Sequence, residues 1–417
     1  MTPSERFNDY LKMLRTPFQK LCRLRFLQPD GSTAFAIDNN PNVSKSMAFI
    51  AEGSVSENWQ NGRRRSASVT LDNAGGEYEY NVNNVWFGTE IALDEGLVLS
   101  DGTPFYLPQG IFLAEEPGET LNPVGKTAQY TLVDKAANLD GGLFGNLTGT
   151  YEVQVGTNIF EPIAALLNLD RGNGMPVDRV APVFTEYYNG KTQTLPDGTT
   201  VPVTNAPYTL TVDRDGGTYW GVISGLAEML NAWVGYDETG ALRVDPSQDD
   251  ILDADKPVLW EFSLRDATIL GAAYTVKNTE VYNDYIVVGD QMSDYSQPAG
   301  RAQNMDPSSP TNVQTIGRKT IIETAAGYAT ATQCRDKAEW MLKRSSVLQR
   351  AVSISCSQLM HIRCNELVTL MRTDKAGSPT ERHLIQSFSR PLAGTGQMTI
   401  TATSVNDFPI ATVTQYP

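Results

Sequence analysis

Histidine is almost absent from this 417-residue chain, which holds only His361 and His383. A site that needs a histidine cluster therefore has almost no material. Cysteine is scarce too. Cys22, Cys334, Cys356 and Cys364 are scattered without a tight framework, which fits buried free thiols in a reducing compartment better than a disulfide-stapled secreted fold. Cys356, His361 and Cys364 do not have the spacing of a zinc finger or ribbon, and no fourth ligand stands near them beyond His383. No apolar run approaches the roughly 18–20 residues that cross a bilayer. Thr2 to Leu14 carries Glu5, Asp9 and Lys12 and so lacks the core of a signal peptide. Basic excess is missing as well: the net charge is −15, which argues against a surface that grips nucleic acid by neutralising phosphates. There is no phosphate loop, dinucleotide fingerprint or Gly-x-Ser-x-Gly elbow, so a histidine base at His361 would have no nucleophile motif to serve. His361 reads as a surface loop residue. Asp134, Asp140, Asp213, Asp215 and Asp237 stand near turns, where carboxylates commonly accept backbone hydrogen bonds, and no two of them are marked out as a catalytic pair. Cofactors and metals: none expected.

What is present is a repeated layout. Glu90-Ile91-Ala92-Leu93, Asp101-Gly102-Thr103-Pro104, Gly110-Ile111-Phe112 and Pro117 run in the same order as Glu366-Leu367-Val368-Thr369, Ala376-Gly377-Ser378-Pro379, His383-Leu384-Ile385 and Pro391. Glu90 to Gly102 is 12 positions and Glu366 to Gly377 is 11, while Ile111 to Pro117 and Ile385 to Pro391 are both 6. Each copy closes on an alternating strand, Ala128 to Val133 and Gln397 to Ala402, reached through glycine turns around Gly125 and Gly394-Thr395-Gly396. Two readings stand side by side: a duplicated β-domain, or turn chemistry that recurs wherever strands are joined.

The length is that of about three domains at roughly 150 residues each. Thr2-Pro3-Ser4-Glu5 carries a capping box for a first helix that Pro17 ends. Cys22, Leu24 and Phe26 alternate with Arg23 and Arg25 before a Gln28-Pro29-Asp30-Gly31 turn and a return strand. Strands at 66–71, 91–93, 106–114 and 128–133 complete a mainly β first domain over 1–149. The middle domain, 150–256, is mixed α/β. Asn158 and Glu161 start a short helix, 171–208 is an excursion of turns with a hairpin tip at Leu195-Pro196-Asp197-Gly198, and Thr218 to Trp233 reads as an amphipathic helix. Asp237-Glu238-Thr239-Gly240 turns a hairpin, and the acidic 245–255 stretch reads as a solvated boundary. The last domain, 257–417, has strands at 272–276 and 282–288, an exposed polar loop over 290–314, one helix over 330–347 behind a Thr330 to Gln333 capping box, and strands from there to Thr403. The expected fold class is mainly β with α+β parts.

Arg63-Arg64-Arg65 is the one basic cluster and precedes a strand. It is either a solvated strand start or a salt-bridging subunit-contact patch, and the second reading makes it the candidate site. Tyr219, Trp220, Trp233 and Trp260 read as core packing, with a sugar platform as the other possibility.

The runs Lys277 to Gly289, Met360 to Val368 and Leu384 to Leu392, the Leu226 to Val244 helix and hairpin, and the segments Gly110 to Leu113 and Tyr130 to Lys135, taken in their order along the chain, resemble the tail hub proteins of bacteriophages and related contractile particles. The resemblance implies a fold of two tail-tube-like β-barrel domains with a mixed α/β middle domain. It implies a non-enzymatic homotrimer in which six barrels join a sixfold tail tube to a threefold tip. The implied partners are the tail tube or a distal tail ring on one side and a spike or tip protein on the other. Viral DNA and the tape-measure protein would pass an acidic channel without specific binding, repelled within roughly 8 Å at physiological salt. The implied location is the virion, assembled in the host bacterial cytoplasm. Some relatives continue into a lysozyme or peptidase domain, whereas this sequence stops at Pro417, so wall degradation is expected of another protein. A receptor- or carbohydrate-binding adhesin is the alternative and a cell-wall hydrolase the remote one; neither has a residue constellation behind it.

Overall fold

The computed structural model describes residues 2–40, 50–59, 62–81, 85–123, 125–195, 198–230, 232–246, 257–263, 268–276, 279, 281–291, 295–325, 328, 330–346, 350–371, 380–394 and 396–404. Residues 196–197 of the expected hairpin tip, 247–255 of the acidic boundary, the 376–379 turn and residue 395 lie outside these.

The N-terminal part begins with helix α1 (Pro3–Met13), whose Thr2 and Glu5 form the capping box read from the sequence. Seven strands follow: β1 (Lys20–Leu27), β2 (Thr33–Asp38), β3 (Ile50–Asn58), β4 (Arg65–Asp72), β5 (Glu90–Val98), β6 (Pro104–Asn122) and β7 (Gly125–Asp134). They are hydrogen-bonded in the order β3-β4-β7-β6-β5-β1-β2. The alternating strands turn Leu24, Phe26, Ile37, Val55, Val69, Leu71, Ile91, Leu93, Phe112 and Leu132 into one core. Ile37 of the last strand and Ile50 of the first meet in that core, so the sheet wraps around it.

The middle part has its own core, in which Ile163, Leu166 and Leu167 of α2 (Phe160–Leu167) pack with Val222, Ile223 and Leu226 of α3 (Tyr219–Met229). Short strands surround these helices: β8 (Tyr151–Val153), β9 (Val183–Phe184), β10 (Thr192–Thr194), β11 (Thr200–Pro202), β12 (Leu210–Val212), β13 (Ala232–Tyr236) and β14 (Leu242–Pro246). β10 and β11 pair antiparallel across the expected tip. β13 and β14 form the hairpin whose turn holds Asp237, with Asp237 Oδ1 accepting from the amides of Thr239 and Ala241. The helix ends at Met229 and Trp233 lies on β13: the apolar residues of helix and strand are contiguous, and the strand pairing with β14 claims Trp233.

The C-terminal part holds β15 (Val258–Phe262), β16 (Ile269–Val276), β17 (Asp284–Val288), β18 (Ala299–Gln303), α4 (Val313–Ile316), β19 (Thr320–Thr324), α5 (Ala331–Ser345), β20 (Arg350–Cys356), β21 (Leu367–Met371), β22 (Thr380–Pro391) and β23 (Met398–Ser404). Six of these strands run β16-β20-β23-β22-β21-β15. That order matches β3-β4-β7-β6-β5-β1 strand for strand and in chain order, so the duplication read from the spacing is present in the topology. One pair differs, since β1 is antiparallel to β5 and β15 parallel to β21. Between β16 and β20, at the place of the β3–β4 turn, an insertion forms the sheet β18-β17-β19 with α5 against it and a small core of Tyr285, Val287, Cys334, Ala338 and Leu342.

The exposed loop expected over 290–314 is corrected here. It contains β18, and Asn304, Ser309, Thr311 and Asn312 are buried. Asn304 Nδ2 donates to Ser309 Oγ at 2.8 Å and Asn312 Nδ2 to the Ser309 carbonyl at 2.8 Å, so short polar side chains satisfy one another inside. Helix α1 is also displaced from its sequence neighbours: Tyr10 and Leu14 belong to the core of the second β unit, with Trp260, Phe262, Ile362 and Ile385. Among the described residues no helix is long and apolar enough to cross a membrane.

Candidate functional site at the junction of the two β units

The two units are joined edge to edge. Strand β22 runs antiparallel to β3, from Ser387 opposite Asn58 to Pro391 opposite Ser54, which makes one 13-stranded sheet of both. Buried charges line this junction.

Glu95 stands in β5, where every neighbour from Ile91 to Leu97 is buried. Its carboxylate is fully enclosed and pairs with Lys20 of β1 at 2.6 Å and with Arg390 of β22, whose Nε lies 2.7 Å from Oε2. Burial alone would raise this carboxyl. The two cations overrule it and hold the group below its ordinary range. Arg390 uses its remaining donors on the Leu359 carbonyl at 3.0 Å and on Gln109 Oε1 at 2.6 Å, and Gln109 Nε2 donates to the Met360 carbonyl at 3.0 Å. Three links of this chain, Arg390 to Glu95, Arg390 to Gln109 and Gln109 to Met360, cross from one unit to the other. A buried ion pair of this kind is stabilising only relative to its broken form, because each charge has lost its water.

A second cluster ties in the middle domain. Arg65 of β4 pairs with Glu57 of β3 at 2.9 Å and donates to the Gln109 carbonyl at 2.8 Å. Glu238, at the tip of the β13–β14 hairpin, lies 3.5 Å from Arg65 and 3.3 Å from Arg363. Arg363 also donates to the carbonyls of Met360, Ile362 and Pro108. Glu238 is held below the ordinary carboxyl range: burial opposes this, and Arg363 and Arg65 supply it. Beside them the rings of Trp59 and Trp233 stack at 4.1 Å, and the Arg64 guanidinium lies 4.2 and 4.7 Å from their centroids. Burial pushes Arg64 down to about 10. Asp134 at the end of β7 accepts from the amides of Arg65 and Ala136, and burial lifts its carboxyl to about 6.

The chemistry of this arrangement is cohesive. The carboxylates of Glu57, Glu95 and Glu238 are all paired with cations of this chain, while Arg64 Nε and Nη2 make no hydrogen bond and face the Trp59 and Trp233 rings instead. Among the described residues no three of His, Cys, Asp and Glu stand together as a metal site.

Neither a family model nor a curated protein matches the sequence. Solved structures do match its fold. The 43 kDa tail protein of prophage MuSo2 from Shewanella oneidensis superposes with a TM-score of 0.56 at 11% identity, covering 93% of this chain and 98% of that one. A tail protein from Neisseria meningitidis MC58 gives 0.56 at 10% identity over 93% and 97%. A prophage tail protein from Listeria monocytogenes EGD-e gives 0.51 at 9% identity over 92% and 94%. The fold is that of phage tail proteins. The match runs through both β units and the middle domain at once, as the coverage requires.

Within this tail-protein fold the residues singled out in the sequence fall as follows. Arg64 and Arg65 are 5% and 3% exposed, so the expected solvated strand start does not exist and only Arg63 retains surface for a neighbouring chain. Arg63 itself pairs with Glu115 and, at 2.5 Å, with Asp140. His361 is buried instead of lying on a surface loop: Tyr10 Oη and its Nδ1 are 3.1 Å apart, and Phe7, Tyr10 and Trp260 surround the ring. Burial, then Arg363 and Arg390, push the imidazole down to about 3. Trp260 is a core residue of the second unit. Lys20, Glu95, Glu238, Arg363 and Arg390 were not singled out from the sequence. The available signals were a carboxylate inside the apolar run of β5 and an arginine inside the alternating β22.

Proposed function

We propose that this chain is a structural hub of a phage tail, working without catalysis. Three copies form a ring whose six β units meet the sixfold tail tube, or a distal tail ring, on one face. The other face presents threefold symmetry to a spike or tip protein. DNA and the tape-measure protein pass through the axial channel, where the acidic balance of the chain discourages phosphate binding. The observation that supports this reading most is the pair of β units with one strand order, fused edge to edge in a single chain. A duplicated unit lets three chains supply six similar positions, which an unduplicated chain can only do with six copies. The location that follows is the tail of the virion.

Native mass spectrometry of the purified chain tests the reading. A species at three times the 45.7 kDa of one chain is expected. A hexamer or dimer as the dominant assembly contradicts it.

A further inference from the structure

A buried lysine and carboxylate stand together outside the two clusters of the junction. Lys135 opens the turn Lys135–Asn138 that follows β7, and Asp178 lies 43 positions further on, in the loop between α2 and β9. Both side chains are 1% exposed, and Lys135 Nζ stands 2.5 Å from Asp178 Oδ1. The backbone fixes each partner. Asp134 Oδ1 accepts from the Ala136 amide at the start of the turn, the Asp178 amide donates to the Leu167 carbonyl at the end of α2, and Asp178 Oδ1 accepts from the Val180 amide at 2.8 Å. The two side chains are thus held in contact with little freedom to part.

The site serves a pair of charges poorly. An ammonium has three donors to place. Lys20 places its own against Glu95, Gln358 Oε1 and the Pro391 carbonyl. Lys135 meets one acceptor among the described residues, Asp178 Oδ1, and beyond it the ring of Tyr236, whose centroid is 5.1 Å from Nζ. Asp178 Oδ2 is buried without a hydrogen-bond partner. Unpaired buried donors and acceptors cost most when they carry charge. A proton passed from Nζ to the carboxyl removes both charges and leaves a primary amine against a carboxylic acid, the two reactants of an amide. The Tyr236 hydroxyl faces the same carboxyl. Burial first, and Asp178 next, hold that phenol well above its ordinary range, so it keeps a proton to give.

We infer that Lys135 and Asp178 condense into an isopeptide bond, a covalent modification that takes no further reagent. The Nζ lone pair attacks Asp178 Cγ and forms the N–C bond. The Cγ–Oδ2 bond then breaks. The oxygen leaves as water, carrying the carboxyl proton and one proton from Nζ that is relayed through Tyr236 Oη. Nothing is oxidised or reduced, and the chain loses one water. Enclosure keeps competing bulk water from the tetrahedral centre. The product buries a neutral amide where two underserved charges stood. It also closes a covalent loop from the end of β7 to the loop behind α2, so that the first β unit and the middle domain are joined by this bond as well as by the backbone.

The test is the intact mass of the denatured full chain, which is expected to be one water lighter than its sequence. Digestion is expected to release a branched peptide that joins Lys135 to Asp178. The branched peptide places the loss, because an aspartyl-glycine succinimide, as at Asp101-Gly102, also sheds a water but joins nothing. Lys135→Arg keeps the cation without the amine nucleophile and is expected to show the full sequence mass. In a time course of cell-free synthesis, Tyr236→Phe is expected to slow the water loss by about 100-fold, the low end of general-acid catalysis, and an equal rate overturns the relay. A parent chain at its full sequence mass overturns the inference outright, and that result needs no variant to fold. A water loss that persists in Lys135→Arg overturns it as well, since the loss then lies elsewhere.

Discussion

Arg390 and Glu95 stand 295 positions apart in the chain and form a fully buried ion pair across the junction of the two β units. Removing Arg390 leaves Lys20 as the cation that faces the buried Glu95, and removing Glu95 leaves both cations without their carboxylate. Arg390→Met is expected to cost about 3–5 kcal/mol, the usual penalty for breaking a buried pair. The double change Arg390→Met with Glu95→Gln is expected to cost less than the sum of the singles, because the Arg390–Glu95 attraction is lost once and not twice, while Lys20 loses its carboxylate in both Glu95 variants. Urea unfolding of the four proteins measures both, and additive losses would show that the pair does not couple the units.

His361 sets an acid limit on stability. Its imidazole is ordinary at 6.5 when unfolded and falls to about 3 in the folded chain, so protons bind the unfolded state preferentially between those values. The contribution is complete above about pH 6.5 and is lost as the pH falls toward 3, with a total near 5 kcal/mol at about 1.36 kcal/mol per unit. His361→Asn, which keeps an acceptor for Tyr10, is expected to flatten the dependence of stability on pH across that window. Parallel slopes for the two proteins between pH 6.5 and 4 would show that the ring is solvated.

Gly235 of β13 permits the close approach of Arg64 to the hairpin. A Cβ at this position would collide with Arg64 Nε and Cδ, and the guanidinium, enclosed against Trp59 and Trp233, has no free direction in which to retreat. Gly235→Ala is expected to destabilise by about 1–3 kcal/mol, as overpacking does, and to change the tryptophan emission of the stacked pair. An unchanged midpoint together with an unchanged spectrum would contradict the packing described.

The thiols should be silent in the native state. Cys22, Cys334, Cys356 and Cys364 are all buried, and burial raises each, with Cys356 pushed up to about 12. A colorimetric thiol reagent at neutral pH is expected to modify none of them before unfolding and all four in denaturant. Rapid native labelling of any one would place that residue at an open edge.

Much of the fold could be read in advance where local chemistry and tertiary structure agree. The Thr2 and Thr330 capping boxes, the Gln28 to Gly31 turn and the Asp237 hairpin are local and formed as expected. The repeat was visible in the order of its segments, although the bulges of β6 and β22 align Pro391 with Thr120 and not with the Pro117 that the spacing suggested. What escaped depends on distant partners. His361 between Met360 and Ile362 gives no sign of burial until α1 arrives with Tyr10 from the other end of the chain. Asn304, Ser309, Thr311 and Asn312 read as solvated because their composition is polar, and only mutual hydrogen bonds make them interior. Arg64 and Arg65 follow Arg63 in what looks like one charged patch, yet strand alternation and the hairpin fold over two of the three. Glu95 follows Asp94 in β5 and Arg390 stands near the end of β22, and nothing local says that they meet.

Electron microscopy of the purified chain bears most directly on the duplicated-hub account. Class averages are predicted to show a ring with an axial hole, threefold by strict averaging and close to sixfold in its β layer, because each subunit supplies two units of one strand order. A compact particle without an axial hole, or a ring whose subunit number is not three, would contradict it.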